Sequence, residues 1–250
     1  MRGLGARLVL DDKENFKRTY GNLLSILNTG VNTIVVHTLL QFYDPLLRCF
    51  TFQYYQLPPT LDECLHILGI EIQDEVLFVR AKEIPKSQHL AEVLHMGKKE
   101  VELNLKPKGG THGFSLKFLV DKVITFAEAE SWSAFNTVFS YITYGIVLFS
   151  NMEDFVDLAS IYLFMDKNLV PTLLVYTYYS IHVRNQKRKG TIMCCILLLY
   201  RWFILHLSSN GPFVDNKRNL KQSQRIMSLI TEDISWYSKS YEHQDQPELW

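Results

Sequence analysis

Between Thr191 and Leu207 the chain is apolar on almost every side of any helix it could form, and Arg201 is the one charge. Such a segment can hide its surface in two places, a bilayer or the middle of a protein core. It is shorter than the ~20 residues needed to cross a hydrocarbon layer, and Arg201 divides it. It therefore reads as the central buried helix of a folded domain. A second apolar stretch, Ala134–Phe149, carries Ser133, Asn136, Thr137, Ser140 and Thr143 along one helical stripe. That stripe suits a water-facing or partner-facing surface better than lipid, so no membrane association is expected.

The same period governs most of the chain. With 35 leucines and only 7 alanines, its helices should pack through bulky side chains. Phe16–Leu27 and Asn32–Tyr43 read as helices parted by Asn28-Thr29-Gly30, and Asp44-Pro45 ends the second. Thr60 and Glu63 are spaced as a capping box after Pro58-Pro59, and Gly69 stops the short helix they open. Further helices are expected over Lys86–Met96, Phe114–Glu130, from Ser131 through Phe149, Phe155–Met165 (capped by Asp154), Thr172–Val183 (opened by Pro171), Asn219–Leu229 and Glu232–Ser240. From 71 to 113 the pattern weakens. Val76–Val79 and Val101–Leu105 could be short strands, and Lys106-Pro107-Lys108-Gly109-Gly110 reads as a loop.

The expected fold class is mainly α: a single irregular multi-helix domain with a small charged insert that holds one or two short strands. Its body runs from 13 to 241, with 71–113 as insert or connector, a frayed stretch at 1–12 and a tail at 242–250.

Charge is balanced overall, 26 basic against 26 acidic residues, which removes the simplest argument for nucleic-acid binding. Its distribution is uneven. From Lys167 to Arg225 ten basic residues face one acid, Asp215, whereas Asp121 to Asp166 holds seven acids and one lysine. In one reading Arg184, Lys187, Arg188, Lys189, Lys217, Arg218, Lys221 and Arg225 form a basic face for phosphates. In the other, which we favour, this segment packs against the acidic one or is a solvated loop. The run 184–189 also has the composition of a nuclear-import signal.

Little else in the sequence carries chemistry. No P-loop, dinucleotide-binding glycine motif, Gly-x-Ser-x-Gly elbow, His-Glu-x-x-His or Cys-x-x-Cys is present. The nearest to a Cys/His site is His182, Cys194, Cys195 and His206. Adjacent cysteines on a helix point about 100° apart, and Cys195 and His206 lie roughly 16 Å apart along one, so core roles are expected. Asp154 with Asp157, and Glu232 with Asp233, offer carboxylates, but acids in first helical turns are ordinary caps. No catalytic residue, metal set, cofactor or small-molecule substrate is assigned. The four cysteines, two of them adjacent in an apolar run, suit reduced thiols inside a cell, and Met1–Leu10 lacks the apolar core of a secretory signal.

Many ordered strings remain. Tyr20-Gly21-Asn22-Leu23-Leu24, Leu40-Gln41-Phe42-Tyr43-Asp44-Pro45, Pro59-Thr60-Leu61-Asp62-Glu63, Tyr144-Gly145-Ile146-Val147-Leu148-Phe149 and Asp154-Phe155-Val156-Asp157-Leu158-Ala159 come first. Tyr179-Ser180-Ile181-His182, Leu199-Tyr200-Arg201-Trp202-Phe203 and Asp233-Ile234-Ser235-Trp236-Tyr237 follow. Together they resemble a plant family, domain of unknown function 7745, similar to the transposon-associated plant mobile domain ("aminotransferase-like"). The resemblance spans about Phe16 to Tyr241. It implies a mostly helical domain multiplied with transposable elements, whose relatives act in the nucleus. It transfers no catalytic residue, and no pyridoxal-binding constellation accompanies it. Family members continue beyond the Trp-Tyr pair, so a truncated copy or a partial gene model is expected.

The expected function is thus a non-enzymatic helical interaction module, intracellular and nuclear, with an unidentified protein partner. The alternatives are a nucleic-acid-binding module using the basic 184–225 segment, and a degenerate transposase-like or nuclease-like enzyme.

Overall fold

The computed structural model describes residues 10–70, 87–145, 153–158, 160–161, 169–187, 195–208, 213 and 220–236. The expectations for strand Val76–Val79, and for Lys217 and Arg218, lie outside these residues.

Helices dominate, as the apolar period requires. Leu10–Tyr20 (α1) and Leu23–Asn28 (α2) replace the single helix expected over Phe16–Leu27. The break is Gly21, at φ 67°, whose backbone passes so close to Leu68 that a Cβ there would lie 2.1 Å from the Leu68 carbonyl oxygen. Only glycine reaches this conformation without strain. Asn32 caps Thr33–Leu39 (α3) by accepting from the Ile34 and Val35 N–H groups.

A first antiparallel sheet then forms from Tyr43–Asp44 (β1), Cys49–Thr51 (β2) and Gln56–Leu57 (β3). Sequence patterning did not suggest it, because strands of two or three residues show no alternation. Leu61–Leu68 (α4) begins with the expected Thr60–Glu63 capping box and ends at Gly69, left-handed at φ 61°.

Ser87–Val93 (α5) and Lys98–Asn104 (α6) follow, so Val101–Leu105 is not a strand: Val101 lies on the buried face of α6. The expected loop at Lys106–Gly110 is instead half of a hairpin. Lys106–Lys108 (β4) pairs with Thr111–Ser115 (β5) across Gly109 and Gly110, both at positive φ, the geometry that two-residue hairpin turns demand. Phe155–Asp157 (β6) completes this second sheet by pairing with β5. The helix expected to start at Phe155 is therefore a strand there, because all three of its residues are buried against the sheet. The fold remains mainly α, but its strands reach beyond a small insert.

Leu116–Glu128 (α7), capped by Ser115, packs along Trp132–Thr143 (α8). Most of the polar stripe of α8 turns inward, with Ser133 exposed and Thr137 half-buried. Asn136, Ser140 and Thr143 are buried, and Ser140 and Thr143 return their hydroxyls to Thr137 and Phe139 carbonyls. Back-bonding of this kind lets a hydroxyl enter a core without an external partner. Leu169–Lys187 (α9) holds Pro171 in its first turn.

Ile196–Leu205 (α10) is the central helix that the apolar run predicts. It packs on α2, α3 and α4, with Trp202 and Phe203 fully enclosed. Arg201, its lone charge, reaches Ser25 Oγ at 2.8 Å. Gln222–Met227 (α11) lies on α3, and a 3₁₀ turn at Thr231–Asp233 replaces the start of the last expected helix.

Candidate functional site

Glu63 is where the buried polar chemistry converges. Its local role follows from sequence, because the third residue of the capping box accepts from the Thr60 N–H, at 2.8 Å. Its long-range role comes from packing of α4 on α10. The Trp202 indole donates to the same Oε2 at 3.0 Å, and His206 Nε2 lies 3.0 Å from Oε1. That second contact is close enough for an ion pair, though off the line of a linear hydrogen bond.

The far ring nitrogen of His206, Nδ1, lies 2.9 Å from the Ser235 carbonyl oxygen. Beside this network, Tyr178 on α9 donates to the Pro59 carbonyl at 2.7 Å. The side chains of Glu63 and His206 are 5% and 2% exposed, so the pair is sealed from solvent.

Burial alone would raise the Glu63 carboxyl. The contact with His206 and the Thr60 backbone donor outweigh it and hold the group below its ordinary range. The neighbouring Cys64 thiol, with no such partner, is pushed up to about 12 by burial and then by the Glu63 charge. The Glu63 carboxylate, with two donors on Oε2 and the His206 ring against Oε1, forms a structural clamp joining α4, α10 and the segment after α11.

Of the candidate basic face, only Lys221 and Arg225 have described side chains. Arg184 and Lys187 fall on the last turns of α9, with side chains outside the described set, as are Arg188 and Lys189. Lys221 is exposed at the start of α11. Arg225 turns inward: it donates to the Phe213 carbonyl oxygen and stacks over the Phe213 ring, 4.9 Å from its centre.

Of the Cys/His grouping, Cys195 caps α10 by accepting from the Leu198 N–H at 3.3 Å, and His206 belongs to the clamp. Asp157 accepts from the Ser160 N–H and Asp233 from the Ile230 N–H. Among the described residues no group of three or more His, Cys, Asp or Glu could hold a metal ion, and no helix is long and apolar enough to cross a membrane.

One surface feature was missed in the sequence. Leu46 and Leu47 stand at the tip of the β1–β2 hairpin, 93% and 57% exposed. The turn is set from within: Asp44 Oδ1 accepts from the Leu46 and Leu47 N–H groups at 2.8 and 3.2 Å, and Arg48 is left-handed at φ 54°. The legible signal was Asp44-Pro45, a turn initiator followed by two leucines.

Among the described residues, fold and clamp define a mainly helical domain whose buried Glu63 and His206 tie its own elements together. The family model described as Domain of unknown function (DUF7745) matches residues 1–246, and the chain belongs to that family. No curated protein and no solved structure matches it.

Proposed function

We propose that this chain is a non-enzymatic helical interaction module of transposon-related origin, acting in the plant nucleus, and that the Leu46-Leu47 turn docks into an apolar cleft of a protein partner. The observation that carries the reading is a nearly fully solvated leucine on a turn whose backbone is fixed by Asp44. Rigid, exposed apolar side chains contribute little to this chain's own stability, and a preset turn lowers the entropy lost on docking. The resemblance to the plant mobile domain supports the origin and the compartment. The nucleic-acid reading has less support, because Arg225, one of its eight residues, is stacked on Phe213.

A photocrosslinking side chain at position 46 tests this in plant nuclear extract, with exposed Glu14 as the control position. The reading expects a discrete protein adduct at 46 that wild-type chain competes away and Leu46→Ser/Leu47→Ser chain does not. An adduct pattern identical to the control position refutes it.

A further inference from the structure

The turn that carries Leu46 and Leu47 ends on a residue poorly suited to its backbone. Arg48 returns the chain to β2 at φ 54°, a left-handed conformation that glycine takes freely and a long L side chain does not. Glycine at 48 would hold the same turn with less strain. Among the described residues the exposed Arg48 side chain forms no hydrogen bond and no ion pair. Burial pushes the Tyr43 hydroxyl up and the Arg48 charge draws it down, so the guanidinium lies within electrostatic reach of the root of the hairpin.

The surroundings are neutral. Between His37 and Asp62 the only charged residues are Asp44 and Arg48. Asp44 aims its Oδ1 at the Leu46 and Leu47 N–H groups and not at Arg48. The other exposed residues from Tyr43 to Leu57, namely Gln53, Tyr54 and Gln56, carry no charge. The hairpin tip therefore presents two exposed leucines beside one unpaired cation.

That combination restricts what can cover it. Seating Leu46 and Leu47 in an apolar cleft draws the adjacent guanidinium out of water, and an unpaired charge so desolvated offsets much of the gain from the leucines. A carboxylate at the edge of the cleft removes that cost and adds a charge-assisted, bidentate contact. A phosphate backbone also pairs with arginine, but it offers the leucines no apolar cleft. An anionic bilayer offers charge, but two leucines and one cation are too small an anchor.

We propose, building on the docking role of the turn, that its partner is a protein cleft with an acidic rim, in which a carboxylate pairs with Arg48 while Leu46 and Leu47 fill the apolar floor. Arg48 is then the residue that selects the partner.

The test uses the full chain with the photocrosslinking side chain at position 46, in plant nuclear extract, alone and with Arg48→Lys, Arg48→Gly or Arg48→Glu. Arg48→Lys keeps the charge and should keep most of the adduct. Arg48→Gly removes the charge while relieving the backbone, and Arg48→Glu reverses the charge; the adduct should fall about tenfold or more in Arg48→Glu and less in Arg48→Gly. The crosslinked partner peptide, sequenced by mass spectrometry, should hold an Asp or Glu beside the attachment point, and replacing that acid with Lys should restore capture by Arg48→Glu. The urea midpoint of Arg48→Gly, expected at or above that of wild type, excludes a loss of fold as the cause. Adduct that is competed by wild-type chain but not by Leu46→Ser/Leu47→Ser, yet is unchanged in Arg48→Gly and Arg48→Glu, overturns the acidic rim and leaves the docking turn standing. Adduct that nuclease removes, or that forms on lipid, overturns the rim as well. Absence of any leucine-dependent adduct refutes the docking turn itself, and the rim with it.

Discussion

Glu63→Ala is the substitution with the most structure riding on it. The side chain accepts from Thr60 N–H and Trp202 Nε1–H and contacts His206, in a site where it is 5% exposed. Truncation leaves the Trp202 indole N–H without an acceptor and His206 Nε2 without its carboxylate neighbour. Each buried unsatisfied donor costs about 1–3 kcal/mol, and removing one member of a buried pair costs about 3–5 kcal/mol. These overlap, so the expected loss is about 3–5 kcal/mol, a large part of the roughly 5–15 kcal/mol a domain has. Glu63→Gln keeps an acceptor for Thr60 and Trp202 and should lose about 1–3 kcal/mol.

Urea unfolding followed by far-ultraviolet circular dichroism measures both, read from the midpoint at constant slope. The pH dependence has a fixed sign. The Glu63 carboxyl is held below its ordinary value of 4.5 in the fold. Its contribution is therefore complete above about pH 4.5 and is lost as pH falls through the lower folded value. The gap between wild type and Glu63→Gln should be constant above that pH and close below it. A Glu63→Ala variant within about 1 kcal/mol of wild type, or a gap that does not close in acid, refutes the clamp.

Three further outcomes follow from the packing. Leu198→Asp puts a carboxylate where the side chain is 3% exposed on the central helix, and should yield no soluble, cooperatively unfolding protein; a sharp thermal transition from soluble variant would show the core to be elsewhere. Gly21→Ala should cost about 1–2 kcal/mol for the left-handed backbone alone and more for the contact with the Leu68 carbonyl oxygen, measured as a drop in the urea midpoint. Leu46→Ser/Leu47→Ser should stay within about 0.5 kcal/mol of wild type, because surface changes away from packed features rarely do more; a thermal scan losing several degrees would mean that the turn packs on this chain's own body.

What could be read from the sequence divides along physical lines. The apolar run ending at Leu207 and the Thr60–Glu63 cap were legible, because helix period and cap chemistry are local. The second job of Glu63 was not, because Trp202 lies 139 residues away and no spacing rule spans that distance. Phe155–Asp157 was mistaken for a helix because Asp154 resembles a cap; the aromatic and β-branched Phe155-Val156 pair was the better guide. Gly109-Gly110 between Pro107-Lys108 and Thr111-His112 did carry a hairpin signal, the two-residue turn that accepts positive φ at both positions. The buried Asn136–Ser140–Thr143 stripe shows the limit of polarity as a guide to exposure: hydroxyls satisfied by their own helix enter a core freely.

The proposed protein contact through an apolar turn is challenged most directly by binding of purified chain to random-sequence duplex and single-stranded DNA and RNA across a salt series. Weak binding with a shallow dependence on log salt, unchanged when Arg184, Lys187, Arg188 and Lys189 are neutralised, is the predicted result. Tight binding that falls steeply with log salt and is lost on that neutralisation would contradict it, and would make the basic segment the working surface.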